Sequence, residues 1–414
     1  MTNCSAESEI RRSLTVLFVG YTLGAFIIGY FADRFGRKPA TVISTFGMCF
    51  FMIGLSTSTN LTEFTIWYFL QAVTANACTN MQLLLMCEIV SEKQRAIPGC
   101  LVNMLCGLSC VVYAGFGSIF PKWYELFRFV GFLSLGVTVV ISWYMPRSVK
   151  WLALNMSGSE VQKKNDDYLN KFRGKLDRNA ENVCLKEEIQ QLDEKSDLKT
   201  MTRSDDSNWK SLLCSKMLRT RVVMACILWS TANITYYGFN MNIDSMKGNL
   251  YENMLINGIV EMVATFVPIF ILTKYGRIHS QFTWLSLIVV PSFFGLFLED
   301  SEYITVVRWV GKIGSSAIFA HIYVHTPEFF PTNFRGKGLG IPDGFSRLTA
   351  MVTPFLGILY KNQPVGYWTL HVSLAVACIV VTFFMPETKD MLPDTKEQCE
   401  QQKSMYQQFW SKNK

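Results

Sequence analysis

The sequence predicts an all-α membrane protein made of two repeated halves, with about eleven transmembrane helices divided as five plus six. Only 17% of the 414 residues are charged and 50% are apolar, whereas soluble globular proteins carry about 25% charge. Mean hydropathy is +0.21 although the chain holds 39 Lys and Arg and 32 Asp and Glu. The charges must therefore be segregated between apolar blocks. In addition, three short motifs recur at one spacing along the chain.

Eleven blocks approach the 20 or so mostly apolar residues that a helix needs to cross a bilayer. The blocks are 14–32, 40–55, 64–87, 97–120, 127–145, 221–239, 254–272, 282–298, 304–324, 340–359 and 367–385. The first block runs directly into a charged turn, so it is not a cleavable signal peptide.

The distribution of positive charge predicts the orientation of these helices. The turns after odd-numbered blocks, together with the C-terminal tail, hold 29 of the 39 Lys and Arg, and the opposite side, with the N-terminal segment, holds six. Positive loops stay in the cytoplasm, so we expect a multi-pass plasma-membrane protein with a cytoplasmic C-terminus. The predicted regions are an extracellular N-terminus (1–13), a first transmembrane half (14–145), a central cytoplasmic loop with surface helices (146–220), a second transmembrane half (221–385) and a cytoplasmic tail (386–414).

Three motifs at the predicted cytoplasmic ends recur exactly once, 240 residues later. Their members are Gly36 and Gly276, Arg37 and Arg277, Glu88 and Glu328, Arg95 and Arg335, and Pro146 and Pro386. Three repeats at a single offset predict two structurally equivalent halves. The counterpart of block 221–239 would precede residue 1, so we expect a plan of six plus six spans in which this chain begins one span late.

The first of these motifs carries a family resemblance. "GYFADRFGRKPA", with Gly29, Asp33, Arg34, Gly36 and Arg37, resembles the loop signature of the major facilitator superfamily. Within that superfamily the chain is similar to the organic cation, organic anion and carnitine transporters from about residue 14 to 395. The most specific segments are "WSTANITYYGFNMNID", "GIVEMVATF", "VGKIGSSAIFAHIYVHTPEFFPTNFRGKGLG" and "PETKDMLPDT".

This resemblance implies a major facilitator fold that binds its substrate near the membrane midplane, between two halves that rock to give alternating access. Family members carry an extra first span followed by a large Cys-rich outer loop, and neither is found in this sequence. Charged residues recur at the predicted cytoplasmic ends of both halves, which predicts a role in gating. Ion pairs among Asp33, Arg37, Glu88, Arg95, Glu328 and Arg335 would fasten the inner gate; the alternative is that they lie at the membrane interface.

Glu261 and Arg347 lie within apolar blocks, where ionisable groups are costly and therefore functional candidates. Glu261 suits a counter-charge for a cationic group or a proton carrier, or it pairs with a neighbouring helix. Arg347 is always charged, so it contacts a substrate carboxylate or forms an ion pair. The resemblance places an acid like Glu261 in cation and carnitine transporters, and an arginine like Arg347 in anion and carnitine transporters. The combination favours a zwitterion or a cation site of balanced charge.

Three aromatic residues, Trp229, Tyr236 and Tyr237, share one face of a helix because they lie at i, i+7 and i+8. Such a face attracts alkylated ammonium groups through cation–π contact, although plain helix packing explains it equally well. The resemblance identifies them with aromatic residues that line the family's pocket. Thr79 stands where family members often have an aromatic residue, which predicts a wider pocket on that side.

The ninth block contains four further polar candidates. Lys312 matches a lysine of the family and is expected to face the substrate site, whereas Arg308, one turn earlier, is expected to reach the outer interface. His321 and His325 share a face, but two histidines alone are not a metal site. We therefore predict no metal and no other cofactor.

The function predicted from the sequence is secondary transport of organic cations or carnitine-like zwitterions. The chain has no nucleophile elbow, phosphate-binding loop or metal-ligand spacing, so we do not expect an enzyme. No basic stripe with interleaved aromatic residues suggests a nucleic-acid partner. The expected partners are a small organic solute and the lipid bilayer. The alternatives are an organic anion transporter and a truncated form that does not transport.

Overall fold

The computed structural model describes residues 2–89, 96–120, 122–145, 214–240, 248–299, 301–331 and 335–388. Within these ranges the chain forms twelve α-helices. They are α1 (Thr2–Phe35), α2 (Arg37–Leu55), α3 (Leu61–Ile89), α4 (Ala96–Ile119), α5 (Trp123–Tyr144), α6 (Lys216–Asn240), α7 (Leu250–Tyr275), α8 (Arg277–Gly295), α9 (Ile304–Glu328), α10 (Arg335–Ala350), α11 (Thr353–Asn362) and α12 (Pro364–Phe383).

The eleven predicted blocks correspond to these helices, and one block is divided. Block 340–359 is split between α10 and α11 by a turn at Met351 and Val352. Pro354 occupies the first turn of α11, where the missing N–H and fixed φ of proline favour the start of a new helix. The predicted surface helices of the central loop and nearly all of the predicted tail lie outside the described residues.

Six of the described helices are long and apolar enough to cross a membrane by composition alone, namely α2, α4, α5, α6, α7 and α12. Helix α9 illustrates why other helices of the bundle are more polar. Its Arg308, Lys312, His321 and His325 are all buried within the protein. A helix enclosed by its neighbours does not need an apolar surface all round, since its polar groups find partners inside the bundle.

The two halves share one internal arrangement, which confirms the repeat. Helix α2 packs against α3 and α5, and its counterpart α8 packs against α9 and α12. Both α2 and α8 have 19 residues and begin 240 residues apart. The glycine before each has the same unusual backbone, with φ 98° and ψ 161° at Gly36 and φ 88° and ψ 175° at Gly276. This region of φ/ψ space is open essentially only to glycine.

The contacts between the halves include two helix pairs that the repeat exchanges, α4 with α7 and α1 with α10. Helices α4 and α7 touch through their backbones, because a Cβ on Gly258 would lie 2.8 Å from the carbonyl oxygen of Gly107. Nearer the predicted outer side, Gly117 packs against the Tyr251 ring. Helix α1 also contacts α11, where Arg11 Nη1 donates to the carbonyl oxygen of Pro354 across 2.5 Å. These contacts run from mid-membrane to the predicted outer side.

Candidate substrate-binding site

An ion pair between α7 and α9 forms the first part of the site. Glu261 and Lys312 are 3% and 2% exposed, and Lys312 Nζ lies 3.2 Å from Glu261 Oε2. The ammonium also donates to Asn240 Oδ1 across 2.8 Å, and Tyr236 Oη donates to the second carboxylate oxygen of Glu261. Both charged groups therefore have hydrogen-bonding partners, as burial of an ion pair requires.

Tyr236 makes the cation–π contact that the sequence suggested, but with a cation of the protein itself. Lys312 Nζ lies 3.9 Å from the centre of the Tyr236 ring. The ring also stacks on Phe319, with centroids 4.9 Å apart. A substrate ammonium at this position would have to compete with Lys312 for both the carboxylate and the ring.

The second part of the site is an ion pair within α10. Arg347 Nε lies 3.2 Å from Asp343 Oδ1, one helical turn earlier, and both residues are 6% exposed. The two terminal nitrogens of Arg347 lie 3.3 Å from Tyr237 Oη and 3.4 Å from Tyr323 Oη. The guanidinium thus faces one acid and two neutral phenols.

Residues of the first half reach this second ion pair. Asn80 Nδ2 of α3 donates to the other Asp343 oxygen across 3.4 Å. Phe18 of α1 packs edge-to-face on Tyr237 with centroids 4.9 Å apart, and the Arg347 guanidinium lies 5.8 Å from the Tyr21 ring. The Arg347 side of the site is therefore shared between the halves.

The neighbouring rings of Tyr236 and Tyr237 join the two ion pairs, since they pack edge-to-face with centroids 5.1 Å apart. Tyr236 donates to the acid of one pair and Tyr237 contacts the base of the other. Two acids and two bases thus lie around one aromatic pair, with formal charges that sum to zero. Among the predicted substrate-binding residues, Tyr236, Tyr237, Glu261, Lys312 and Arg347 are brought together here.

Trp229 lies behind this site. Its side chain is fully buried, its Nε1–H donates to Thr326 Oγ1 across 2.8 Å, and its ring packs edge-to-face on Tyr323 with centroids 4.8 Å apart. Trp229 therefore packs as a core residue does, and its ring contacts Tyr323, which lies beside Arg347. Thr79 is partly buried and donates to the Ala75 carbonyl oxygen across 3.1 Å.

Arg308 lies toward the predicted outer end of α9, as expected, but it is buried and paired rather than extended to the interface. It is 6% exposed and its Nη2 lies 3.6 Å from Glu299 Oε1. The guanidinium also lies 4.7 Å from the Tyr360 ring, and Tyr360 Oη donates to Glu299. Glu299 provides the counter-charge that allows Arg308 to stay inside the bundle.

The histidines of α9 contact each other, with His321 Nε2 3.3 Å from His325 Nδ1. His325 Nδ1 also lies 3.0 Å from Gln281 Oε1. Within the described residues, no group of three or more His, Cys, Asp or Glu is arranged to hold a metal ion.

In the second half, residues of the three repeated motifs contact one another. Arg277 binds Glu328 through two hydrogen bonds, Nε to Oε2 at 3.0 Å and Nη2 to Oε1 at 2.8 Å. Glu387 accepts from the backbone N–H groups of Arg277 and Ile278 at 2.9 and 3.0 Å, and so caps α8. Arg37 and Glu88 stand at the corresponding positions 240 residues earlier in the sequence.

The remaining motif residues do not test the gating hypothesis. The side chains of Asp33, Glu88, Arg95 and Arg335 lie outside the described residues. Arg34 lies 5.6 Å from the Phe35 ring of the same helix. Gating by these charges stays a prediction.

Sequence reasoning missed Asp343, Asn80 and Glu387. A signal for Asp343 existed, because an acid four residues before an arginine on one helix faces it. No comparable local signal marks Asn80, which meets Asp343 only through the contact between the halves.

The chain matches the family model described as "Sugar (and other) transporter" over residues 2–392. It is 26% identical to "Solute carrier family 22 member 3" of Mus musculus, across 96% of this chain and 70% of that protein. It is 26% identical to "Organic cation/carnitine transporter 2" of Homo sapiens, across 97% and 71%. It is also 26% identical to "Organic anion transporter 3" of Oryctolagus cuniculus, across 96% and 72%.

Solved structures give the same fold. The chain superposes on the major facilitator superfamily proton:xylose symporter XylE with a TM-score of 0.72 and 18% identity, covering 97% of this chain and 90% of that one. The inward open conformation of XylE from E. coli gives a TM-score of 0.70 at the same identity and coverage. The predicted fold class is thereby confirmed. With the fold and the family match in agreement, this chain is a membrane transporter of major facilitator fold and belongs to the sugar (and other) transporter family.

Proposed function

We propose that the protein is a secondary transporter of organic cations or carnitine-like zwitterions that works by alternating access. This proposal is carried by two buried ion pairs, Glu261 with Lys312 and Arg347 with Asp343. They lie on either side of the adjacent rings of Tyr236 and Tyr237. Relatives named as a cation/carnitine transporter and as an anion transporter have similar identity to this chain, so the chemistry of the site has to distinguish the substrate classes.

Each ion pair can exchange one partner for a substrate group of the same charge. A substrate ammonium would replace Lys312 at Glu261 and on the Tyr236 ring, and a substrate carboxylate would replace Asp343 at Arg347. Removing one partner of a buried pair is costly unless the remaining charge finds a new partner. A zwitterion supplies both groups at once and leaves the net charge of the site unchanged, since the displaced Lys312 and Asp343 have opposite charges. This favours a zwitterion over a simple ion.

An organic anion carrier is the second candidate, because Arg347 has two phenol partners beside its acid. Tyr237 and Tyr323 lie within 3.3 and 3.4 Å of its terminal nitrogens, and their hydroxyl groups can also donate to a carboxylate. An anion bound here would leave Glu261 with Lys312 undisturbed. The two candidates therefore differ in their dependence on Glu261.

The contacts between the halves support an inward-facing state. These contacts lie at mid-membrane and at the predicted outer ends of the helices. Examples are Gly107 with Gly258, Gly117 with Tyr251, and Arg11 with Pro354. With the orientation expected from positive charge, the closed side is extracellular. Transport would then require these contacts to open in the opposite state, in a multi-pass plasma-membrane protein with a cytoplasmic C-terminus.

Two matched tyrosine variants test this proposal, because Tyr236 donates a hydrogen bond to Glu261 and Tyr237 contacts Arg347. Uptake of labelled tetraethylammonium, carnitine and an aromatic carboxylate is measured in cells and normalised to surface-labelled protein. We expect Tyr236→Phe to reduce tetraethylammonium and carnitine uptake, and Tyr237→Phe to reduce carnitine uptake with little change for tetraethylammonium. Uptake of the carboxylate alone, unaffected by Tyr236→Phe, would favour the anion carrier instead.

A further inference from the structure

Asn240 gives the Lys312 ammonium a second acceptor beside Glu261. Lys312 Nζ lies 2.8 Å from Asn240 Oδ1 and 3.2 Å from Glu261 Oε2. A lysine side chain only donates hydrogen bonds, so the oxygen of the Asn240 amide must face it. The Tyr236 ring, with its centre 3.9 Å from Nζ, covers the ammonium on another side. The ammonium is therefore held by one charged acceptor, one neutral acceptor and one aromatic ring.

The position of Asn240 is set by the packing of α6 on α9. Asn240 is the last residue of α6, and its neighbour Phe239 is 4% exposed. A Cβ on Gly311 would lie 2.5 Å from the Phe239 ring. Because glycine leaves room for this ring, the end of α6 lies directly against the turn of α9 that carries Lys312. Asn240 is thus held beside Lys312 by contacts that do not involve Glu261.

The exchange proposed at Glu261 removes the counter-charge of Lys312. A substrate ammonium that takes Glu261 and the Tyr236 ring removes two of the three partners of the Lys312 ammonium. Lys312 is only 2% exposed, and a buried charge without a partner is strongly destabilising. A hydrogen bond to a charged group is about twice as strong as a neutral one. The contact with Asn240 therefore offsets part of the cost of the exchange.

We propose that Asn240 is a positioning residue for cation transport, which holds the Lys312 ammonium while a substrate ammonium occupies Glu261. This inference rests on the proposed function. Without substrate, Glu261 and Asn240 share the Lys312 ammonium; with a cation or zwitterion bound, Lys312 keeps Asn240 and releases Glu261. An anion bound at Arg347 leaves Glu261 with Lys312. Asn240 is therefore required for uptake of cations and zwitterions but not for uptake of anions.

Thermal unfolding in detergent tests the holding role without a transport assay. Glu261→Gln imitates the loss of the counter-charge, so Asn240→Leu should lower the melting temperature at least about twice as much in that background as in wild type. In a Lys312→Met background there is no ammonium to hold, and Asn240→Leu should change little. Asn362→Leu, at the exposed end of α11, is the matched control and should show no dependence on background. An equal decrease by Asn240→Leu in all three backgrounds would overturn the proposal.

Uptake normalised to surface-labelled protein tests the consequence for specificity. Asn240→Leu should raise the KM for tetraethylammonium about tenfold or more, as expected for a lost hydrogen bond to a charged group, with no change for an aromatic carboxylate. Asn240→Asp keeps an acceptor oxygen in place and should keep tetraethylammonium uptake. An unchanged KM for tetraethylammonium in Asn240→Leu would contradict the specificity role. Absence of cation uptake in wild type would contradict the proposed function instead, and the melting temperatures would still decide whether Asn240 holds Lys312.

Discussion

At the residue scale, the account depends on buried charges that are paired. Breaking a buried ion pair by removing one partner costs about 3–5 kcal/mol, whereas replacing both partners can be neutral. Glu261 and Lys312 are such a pair, 3.2 Å apart. Their structural role and their transport role can therefore be separated by single and double substitutions.

We expect Glu261→Gln to lower both the thermal stability of the protein and its carnitine uptake, because Lys312 is left as an unpaired buried charge. The double variant Glu261→Gln with Lys312→Gln should regain most of the stability but not the uptake. Thermal unfolding in detergent and uptake normalised to surface protein measure the two effects, which a double-mutant cycle then compares. Recovery of uptake in the double variant would show that the pair serves only the scaffold.

The second residue-scale prediction concerns Asp343. Asp343→Asn removes the counter-charge of Arg347 and leaves a positive charge that attracts carboxylates. Partly desolvated charge contacts are worth about 2–5 kcal/mol, so the ratio of aromatic carboxylate to tetraethylammonium uptake should rise by about tenfold or more. Asn80→Ala removes only the neutral hydrogen bond to Asp343 and is the matched control. An unchanged ratio in Asp343→Asn would place the substrate elsewhere.

The sequence was informative at this scale where a residue contrasts with its surroundings. Glu261, Lys312 and Arg347 stand out because charge is rare in apolar blocks. The pairing of Glu261 with Lys312 was not predictable, since no sequence spacing fixes how close α7 lies to α9. The sequence could not assign a role to Trp229, because helical periodicity gives the same pattern for a core residue as for a pocket residue.

At the scale of elements, close contact between α4 and α7 depends on glycine. A Cβ at Gly258 would lie 2.8 Å from the Gly107 oxygen and 2.9 Å from the Val111 nitrogen, so it would push the two helices apart. We expect Gly258→Ala to reduce carnitine uptake at least fivefold by preventing closure of the outer side. Gly115→Ala on α4, where an added Cβ meets nothing within 4 Å, is the control. It should retain wild-type uptake. Equal uptake by both variants would refute this role for the contact.

The second element-scale prediction concerns the turns that open α2 and α8. Alanine at Gly276 would have to adopt φ 88° and would place its Cβ 2.9 Å from the Glu387 carboxylate. Such backbone strain costs about 1–3 kcal/mol, so Gly276→Ala should lower the melting temperature in detergent. By the repeat, Gly36→Ala should do the same, while Gly340→Ala, which meets nothing within 4 Å, should not. A melting temperature unaltered by both substitutions would argue against the strain.

The positions of the helices were predictable because the apolar blocks and the glycine motifs mark their ends. The break between α10 and α11 was not predicted, although Pro354 is a recognised signal for a new helix. Its carbonyl oxygen accepts the hydrogen bond from Arg11, a contact between distant parts of the chain that local sequence does not encode.

At the scale of the whole molecule, the repeat accounts for the architecture. The 240-residue offset relates α2 to α8 and exchanges two of the contacts between the halves, α4 with α7 and α1 with α10. The sequence predicted the repeat and the family from motifs at helix ends. It did not predict contacts between the halves such as Arg11 with Pro354, because they form only in the folded molecule.

The measurement that tests the central claim most directly is uptake by the purified protein in liposomes. Labelled carnitine, tetraethylammonium and an aromatic carboxylate are compared for wild type, Glu261→Gln and the control Gly115→Ala. The account predicts that carnitine and tetraethylammonium accumulate above empty liposomes with wild type and Gly115→Ala, and at least tenfold less with Glu261→Gln. Accumulation of the carboxylate alone, or carnitine uptake that is the same in all three proteins, would contradict a cation or zwitterion site at Glu261.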